Sequence, residues 1–325
     1  MIKVVFDFLQ FLLSCAPLLT SLAIFTLLSI WLAKSIKKNS KIYYLILAIP
    51  FFLVVIPTIF RWCGLPLPVN FVSMPVLGHI LRDYIHMGTL GHPLLIIIMY
   101  MGALDPKTRF VKKLMSIRKE LSIIVGFPVL THTLIRTANN FMPALNFFTD
   151  NEKYMANTLA VSELGAGISN FSLVLGIVML VLFLPLWITS FDSVRKRMDA
   201  VKWKNLQKWS YVLYATLFIH AAGITIGGMM NPRERSVPQP AIEVSAQTAI
   251  ERPQSEQVAR PTDNRGQNVQ AGGGRGRVMP KSFTDFQVAR ETRQYIHLIS
   301  LVLIYGSYLY LRLRKAKKSR ERMQK

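Results

Sequence analysis

Six histidines, at positions 79, 86, 92, 132, 220 and 297, are the side chains of this 325-residue chain best suited to chemistry. An imidazole binds metals and moves protons near neutral pH. His220 lies in the stretch Trp203 to Gly228, which carries no charge from Trp209 onward for more than twenty residues. As a helix such a run crosses about 30 Å of hydrocarbon, and an ionisable group inside one is a functional candidate. Ala221, Ala222, Gly223, Gly227 and Gly228 follow it, leaving room for a neighbouring helix or a flat ligand. His132 stands about fourteen residues beyond Arg118 in another apolar run, and His220 about twelve beyond Lys208. The two imidazoles are therefore expected at similar depth on helices that run in the same direction. Two neutral imidazoles facing an apolar slot from different helices can ligate a haem iron on its two sides. The competing reading is a pair of packing residues bonded to helix carbonyls. Arg136, one turn beyond His132 on the same face, could hold a haem propionate bidentately or simply snorkel towards the interface.

The elements that must position these residues are apolar spans. Hydrophobic residues make up 51% of the chain and mean hydropathy is +0.33, more apolar than a soluble domain. Seven runs stand out, Phe8 to Ala33, Ile42 to Phe60, Met87 to Leu104, Leu121 to Phe141, Leu164 to Ser190, Ser210 to Met230 and Tyr295 to Leu311. They are predicted to be helices, because backbone groups in lipid must bond within their own segment and no barrel-like alternation is present. The expected fold class is thus an all-α polytopic membrane protein of about seven transmembrane helices.

The net charge of +22 does not point to nucleic acid, because the basic residues cluster beside the apolar runs. Lys34 to Lys41, Lys107 to Lys119, Arg195 to Lys208 and Arg312 to Lys325 hold most of them. The positive-inside rule makes all four cytoplasmic, with the N-terminus outside and the C-terminus inside. The expected location is a bacterial plasma or inner membrane, and the first expected partner is the lipid bilayer. LLSC ending at Cys15 faintly resembles a lipoprotein cleavage site, yet the apolar run continues to Ala33, so an uncleaved first span is expected. Cys15 and Cys63 are the only cysteines. They cannot build a thiolate metal site alone, and a disulfide between them is not expected.

Four regions follow. Residues 1–86 hold two spans and an external loop, with the stretch from Arg61 to His92 the expected lid over an outer-side site. Residues 87–230 form the central bundle. Residues 231–292, rich in Pro, Gln, Gly and Ser, read as a disordered external loop. Residues 293–325 supply the last span and a basic tail. The glycine-rich AGGGRGR in the loop has no strand before it and no helix after it, so it is not a phosphate cradle. No stretch reads as an NAD(P)H or flavin fold.

The pattern RKELSIIVGFPVLTH from Arg118 to His132, followed after another span by TSFDSVRKRMDAVKWKNLQKWSYVLYATLFIH ending at His220, resembles the ferric reductase-like transmembrane domain. That superfamily includes the haem-binding membrane subunit of the periplasmic methionine-sulfoxide reductase. The resemblance spans roughly Met87 to Met230 and implies a ferric reductase-like helical bundle holding haem b, with His132 and His220 as ligands. It departs at Gln207, where the sulfoxide-reductase subunit looks to have a histidine, which leaves an inner haem without a ligand. His92, at similar depth on the third span, is a further candidate for ligation or for contact with a propionate. His79 and His86 share a helical face and could form a surface metal site, and His297 reads as interfacial.

What the resemblance implies is an electron-transfer subunit that passes single electrons outward to an external acceptor or reductase partner. Its electrons would come from quinol or from a cytoplasmic flavoprotein on the loop Arg195 to Lys208; a quinone or a flavin is thus a second expected cofactor. Trp203 and Trp209 read as interfacial anchors. The rival readings are a haem-free membrane scaffold or sensor and a transporter, the last disfavoured by few acidic residues within the spans and no evident inverted repeat.

Overall fold

The computed structural model describes residues 8, 11–12, 14–66, 88–158, 162–231 and 290–323. Its helices, in chain order, are α1 (Pro17–Trp31), α2 (Ala33–Lys38), α3 (Ser40–Trp62), α4 (Gly91–Ala103), α5 (Arg109–Met115), α6 (Arg118–Ile124), α7 (Gly126–Thr149), α8 (Asn151–Asn157), α9 (Glu163–Ile188), α10 (Asp192–Arg195), α11 (Ala200–Met230) and α12 (Arg290–Met323). Among the described residues there is no strand. Five helices are long and apolar enough to cross a membrane: α3, α6 with α7 as one stretch, α9, α11 and α12 up to Lys318. Two shorter apolar helices, α1 and α4, complete the seven places where apolar runs are expected. The chain is an all-helical membrane protein, as its hydropathy requires.

Helices α9 and α11 lie antiparallel against each other along most of their length. Gly165 meets Met230 and Asn231, Ser169 meets Gly227, Ser172 meets Gly223, and Gly176 meets His220. Near the far end the Thr189 carbonyl accepts from Trp203 Nε1 at 3.4 Å and Thr189 Oγ1 from Gln207 Nε2 at 3.4 Å. Lipid tails are as apolar as leucine, so it is small residues and close backbone approach that bring such helices together. A Cβ on Gly223 would lie 2.0 Å from Ser172 Oγ, and one on Gly227 would lie 2.7 Å from the Gly165 carbonyl oxygen. Asn231 closes the pair, accepting from the Ser162 N–H at 2.7 Å and donating to its carbonyl at 3.0 Å. Both helices start from side-chain caps, Ser162 Oγ accepting from Gly165 N and Asp199 Oδ1 from Val201 N and Lys202 N.

Helix α4 is buried on nearly every side, as befits a helix without a polar face. Its Leu94, Leu95, Ile97, Ile98 and Met101 join Leu114, Ile117, Leu121, Phe183, Leu213 and Leu217 in one core. Its Ile96 and Met99 join a second core with Leu18, Tyr214, Leu301 and Ile304. At its C-terminal end α12 supplies caps: Arg312 Nη1 donates to the Gly102 carbonyl at 3.1 Å and Lys315 Nζ to the same oxygen at 2.9 Å. Cations there satisfy carbonyls the helix leaves unbonded. Lys119 reaches Asp192 at 3.0 Å, and Ala33 and Ile36 of α2 pack into the core beside Leu114 and Ile117. The four basic segments therefore gather at one end of the bundle.

The α9/α11 contact sets an expectation for stability. Gly227→Ala should cost about 1–3 kcal/mol by overpacking against backbone, whereas Gly306→Ala, with nothing within 4 Å of a Cβ, should stay within about 0.5 kcal/mol. Thermal melting in detergent compares them; equal melting temperatures would contradict the close approach.

Candidate cofactor cavity

A cavity of about 420 Å³ lies between α1, α4, α7, α9, α11 and α12, within the roughly 300–1,000 Å³ of ligand sites. Leu173, Val174, Leu180, Phe183, Leu213 and Leu217 give it apolar walls. Its polar groups are few and convergent. His132 and Arg136 enter from α7, His220 from α11, His92 from α4 and His297 from α12. All four residues singled out as candidates by sequence thus line one space. His297, read from the sequence as interfacial, lines it too, about two turns into α12.

His220 is held by a hydrogen bond from Nδ1 to the Ser172 carbonyl at 2.6 Å. A carbonyl only accepts, so Nδ1 carries the proton and Nε2 keeps its lone pair. That is how metal-ligating histidines are usually oriented, the second nitrogen donating to a carbonyl or carboxylate. Sequence gave no signal for this partner, because it is a backbone atom of a helix four dozen residues away. Gly88 and Gly176 leave space beside these rings: a Cβ there would come 3.3 Å from His132 Cε1 and 3.4 Å from His220 Cε1 respectively.

His92 is engaged elsewhere. Its Nε2 lies 3.1 Å from the Tyr305 hydroxyl, a contact between α4 and α12 that competes with any metal for that nitrogen. Arg136 sits one turn beyond His132, and the Asn140 amide donates to the Arg136 carbonyl at 3.0 Å.

Among the described residues no three His, Cys, Asp or Glu side chains come together as a cage for a metal ion. Two imidazoles are too few to hold a bare ion in a protein-only shell. A metal seated here must bring its other donors with it, which a porphyrin does. The donor set, the apolar walls and the glycine cradles fit that group.

The basic end has a different filling. Gln207 spends its amide on Thr189, and Trp187 occupies the space above Gly126, its Nε1 donating to the Ile123 carbonyl at 3.0 Å. Phe127 and Phe191 meet the same indole edge-on, with centroids at 5.8 and 5.3 Å. Cys15 and Cys63 are both free thiols. His79, His86 and residues 67–87 of the expected lid lie outside the described residues, as do residues 232–289 of the expected external loop.

Residues 86–230 match the family model described as the ferric reductase like transmembrane component. No curated protein and no solved structure gives a significant match to the chain. The match covers α4 through α11 and every candidate in the cavity except His297. Across those residues, and so across this bundle, the chain is similar to the ferric reductase-like transmembrane family.

Proposed function

We propose that the chain is a b-type haem protein of the cell membrane, in which His132 and His220 would hold the haem iron, carrying single electrons outward to an external acceptor or reductase partner. The observation that carries this reading is that His132 and His220 line one apolar cavity from two helices; the bond from His220 Nδ1 to the Ser172 carbonyl leaves Nε2 with its lone pair. A haem held there would supply reversible one-electron chemistry at its iron.

The chain's own residues do the rest. His132 and His220 offer neutral nitrogens from two helices whose α9 neighbour prevents them from drifting apart. Arg136 offers a guanidinium at the outer side for a carboxylate. Leucine and phenylalanine side chains exclude water, which keeps electrostatic interactions inside strong. His92, bonded to Tyr305, is a wall residue beside the ligands. Electrons enter from a quinol or from a flavoprotein that rests on the basic end, where Arg195 stacks over Trp203 at 4.4 Å. With that end cytoplasmic, the N-terminus is outside.

Three outcomes are expected. The purified protein shows a reduced-minus-oxidised spectrum of low-spin b-type haem, with one haem per chain by pyridine haemochrome because Gln207 supplies no inner ligand. His132→Ala and His220→Ala each lose that spectrum, whereas His92→Ala retains it. A colourless wild type prepared with ample haem would favour the scaffold, sensor or transporter readings. For orientation, Cys63 is exposed at the end of α3 remote from the basic cluster; in a Cys15→Ser background a membrane-impermeant maleimide should label it in intact cells. Labelling only after permeabilisation would reverse the topology.

A further inference from the structure

We infer that Gly88 is a positioning residue for His132, its missing Cβ leaving the space in which that imidazole lies; the inference rests on the haem reading above. Gly88 stands at the entry to α4, where its carbonyl accepts the His92 N–H at 3.1 Å. Its φ is 74°, in the left-handed region that side chains with a Cβ rarely adopt. It lines the cavity together with His132.

The space has a shape. A Cβ at Gly88 would lie 3.3 Å from His132 Cε1, 3.3 Å from Nδ1 and 3.5 Å from Cγ. These are three consecutive ring atoms at nearly equal distance, so a side chain there would meet the face of the ring rather than its edge. An edge-on approach would bring Nδ1 clearly nearer than its neighbours. The absence of a side chain is therefore what lets the imidazole lie as it does; with a Cβ present the ring would have to shift by a few tenths of an ångström.

His220 is restrained by other means. Its orientation comes from the hydrogen bond to Ser172, and a Cβ at Gly176 would meet its Cε1 and Nδ1 at 3.4 and 3.6 Å, ordinary van der Waals distances. The tighter of the two glycine gaps is thus the one beside His132. A change at Gly88 turns His132 and leaves His220 in place. The turn of one axial imidazole against the other alters the electronic structure of a low-spin iron and its preference for one oxidation state, which the protein tunes through ligand orientation.

The test compares Gly88→Ala and Gly88→Asn, the latter because asparagine tolerates left-handed backbone, with two controls. Gly64→Ala places a Cβ at a φ of 67° with nothing within 4 Å, isolating backbone strain. Gly176→Ala adds a Cβ beside His220 at a distance it can accept. Haem content, the highest g value of the low-spin EPR signal, the midpoint potential and the melting temperature are measured on each full-length protein. Both Gly88 variants should keep one haem per chain, shift the g value and change the ratio of affinities for the two oxidation states by about threefold or more, about 30 mV for one electron. Both controls should match wild type in g value and potential. Wild-type g value and potential in haem-loaded Gly88 variants would overturn the inference, as would the same shift in Gly64→Ala. Failure of both Gly88 variants to fold while Gly64→Ala folds would replace it with a purely structural role. A colourless wild type would sink the haem reading itself, an outcome that no glycine variant can mimic.

Discussion

The closeness of α9 to α11 is the constraint on which the cavity depends. Within lipid no hydrophobic gain drives two apolar helices together, so contact rests on how near their backbones can come. Ser169 facing Gly227 and Ser172 facing Gly223 remove side-chain bulk from one helix wherever the other presents a hydroxymethyl. The hydroxyl of Ser172 spends its proton on the Ile168 carbonyl of its own helix, so it adds no unsatisfied donor to the seam. The reward of the close approach is the second lone pair of the Ser172 carbonyl, which a helix bond leaves available and which His220 uses. A wider spacing would leave the imidazole without a fixed tautomer.

The two ends of the bundle are chemically unlike. At the basic end, cations are tied to backbone and rings: Arg312 and Lys315 to the end of α4, Arg312 over Tyr211 at 4.7 Å, Arg195 over Trp203. The Lys119 to Asp192 pair is about half exposed on both sides, and exposed pairs contribute only about 0–1 kcal/mol. It joins two connecting segments in register more than it stabilises them. Just inside this end, Trp187 lies in the notch that Gly126 provides, with Pro128 two residues on removing a helix N–H. That arrangement explains why α6 gives way to α7 at Val125 and why aromatic rings, rather than a slot, fill this level of the bundle.

Much of this was legible in the sequence. Seven uncharged runs are read directly because a spanning helix has no other way to satisfy its backbone. That His132 and His220 reach one cavity was legible because helix rise converts a count from Arg118 and Lys208 into depth. For His297 the sequence marked closeness to a helix end, but nothing in the pattern told that this face of α12 turns to the cavity. Ser172 and Gly88 were invisible, since a carbonyl carries no residue identity and the role of a glycine lies in what stands opposite it. Gln207 was the exception among polar residues, its amide telling against a second ligand before its bond to Thr189 was seen.

Helix α12 finishes the enclosure. It brings His297 to the cavity wall and Tyr305 to His92, and it comes last in the chain, after the long segment that follows α11. One wall of the cavity is thus far in sequence from all the others, and side-chain bonds from α12 to α4, rather than a short connection, hold it shut.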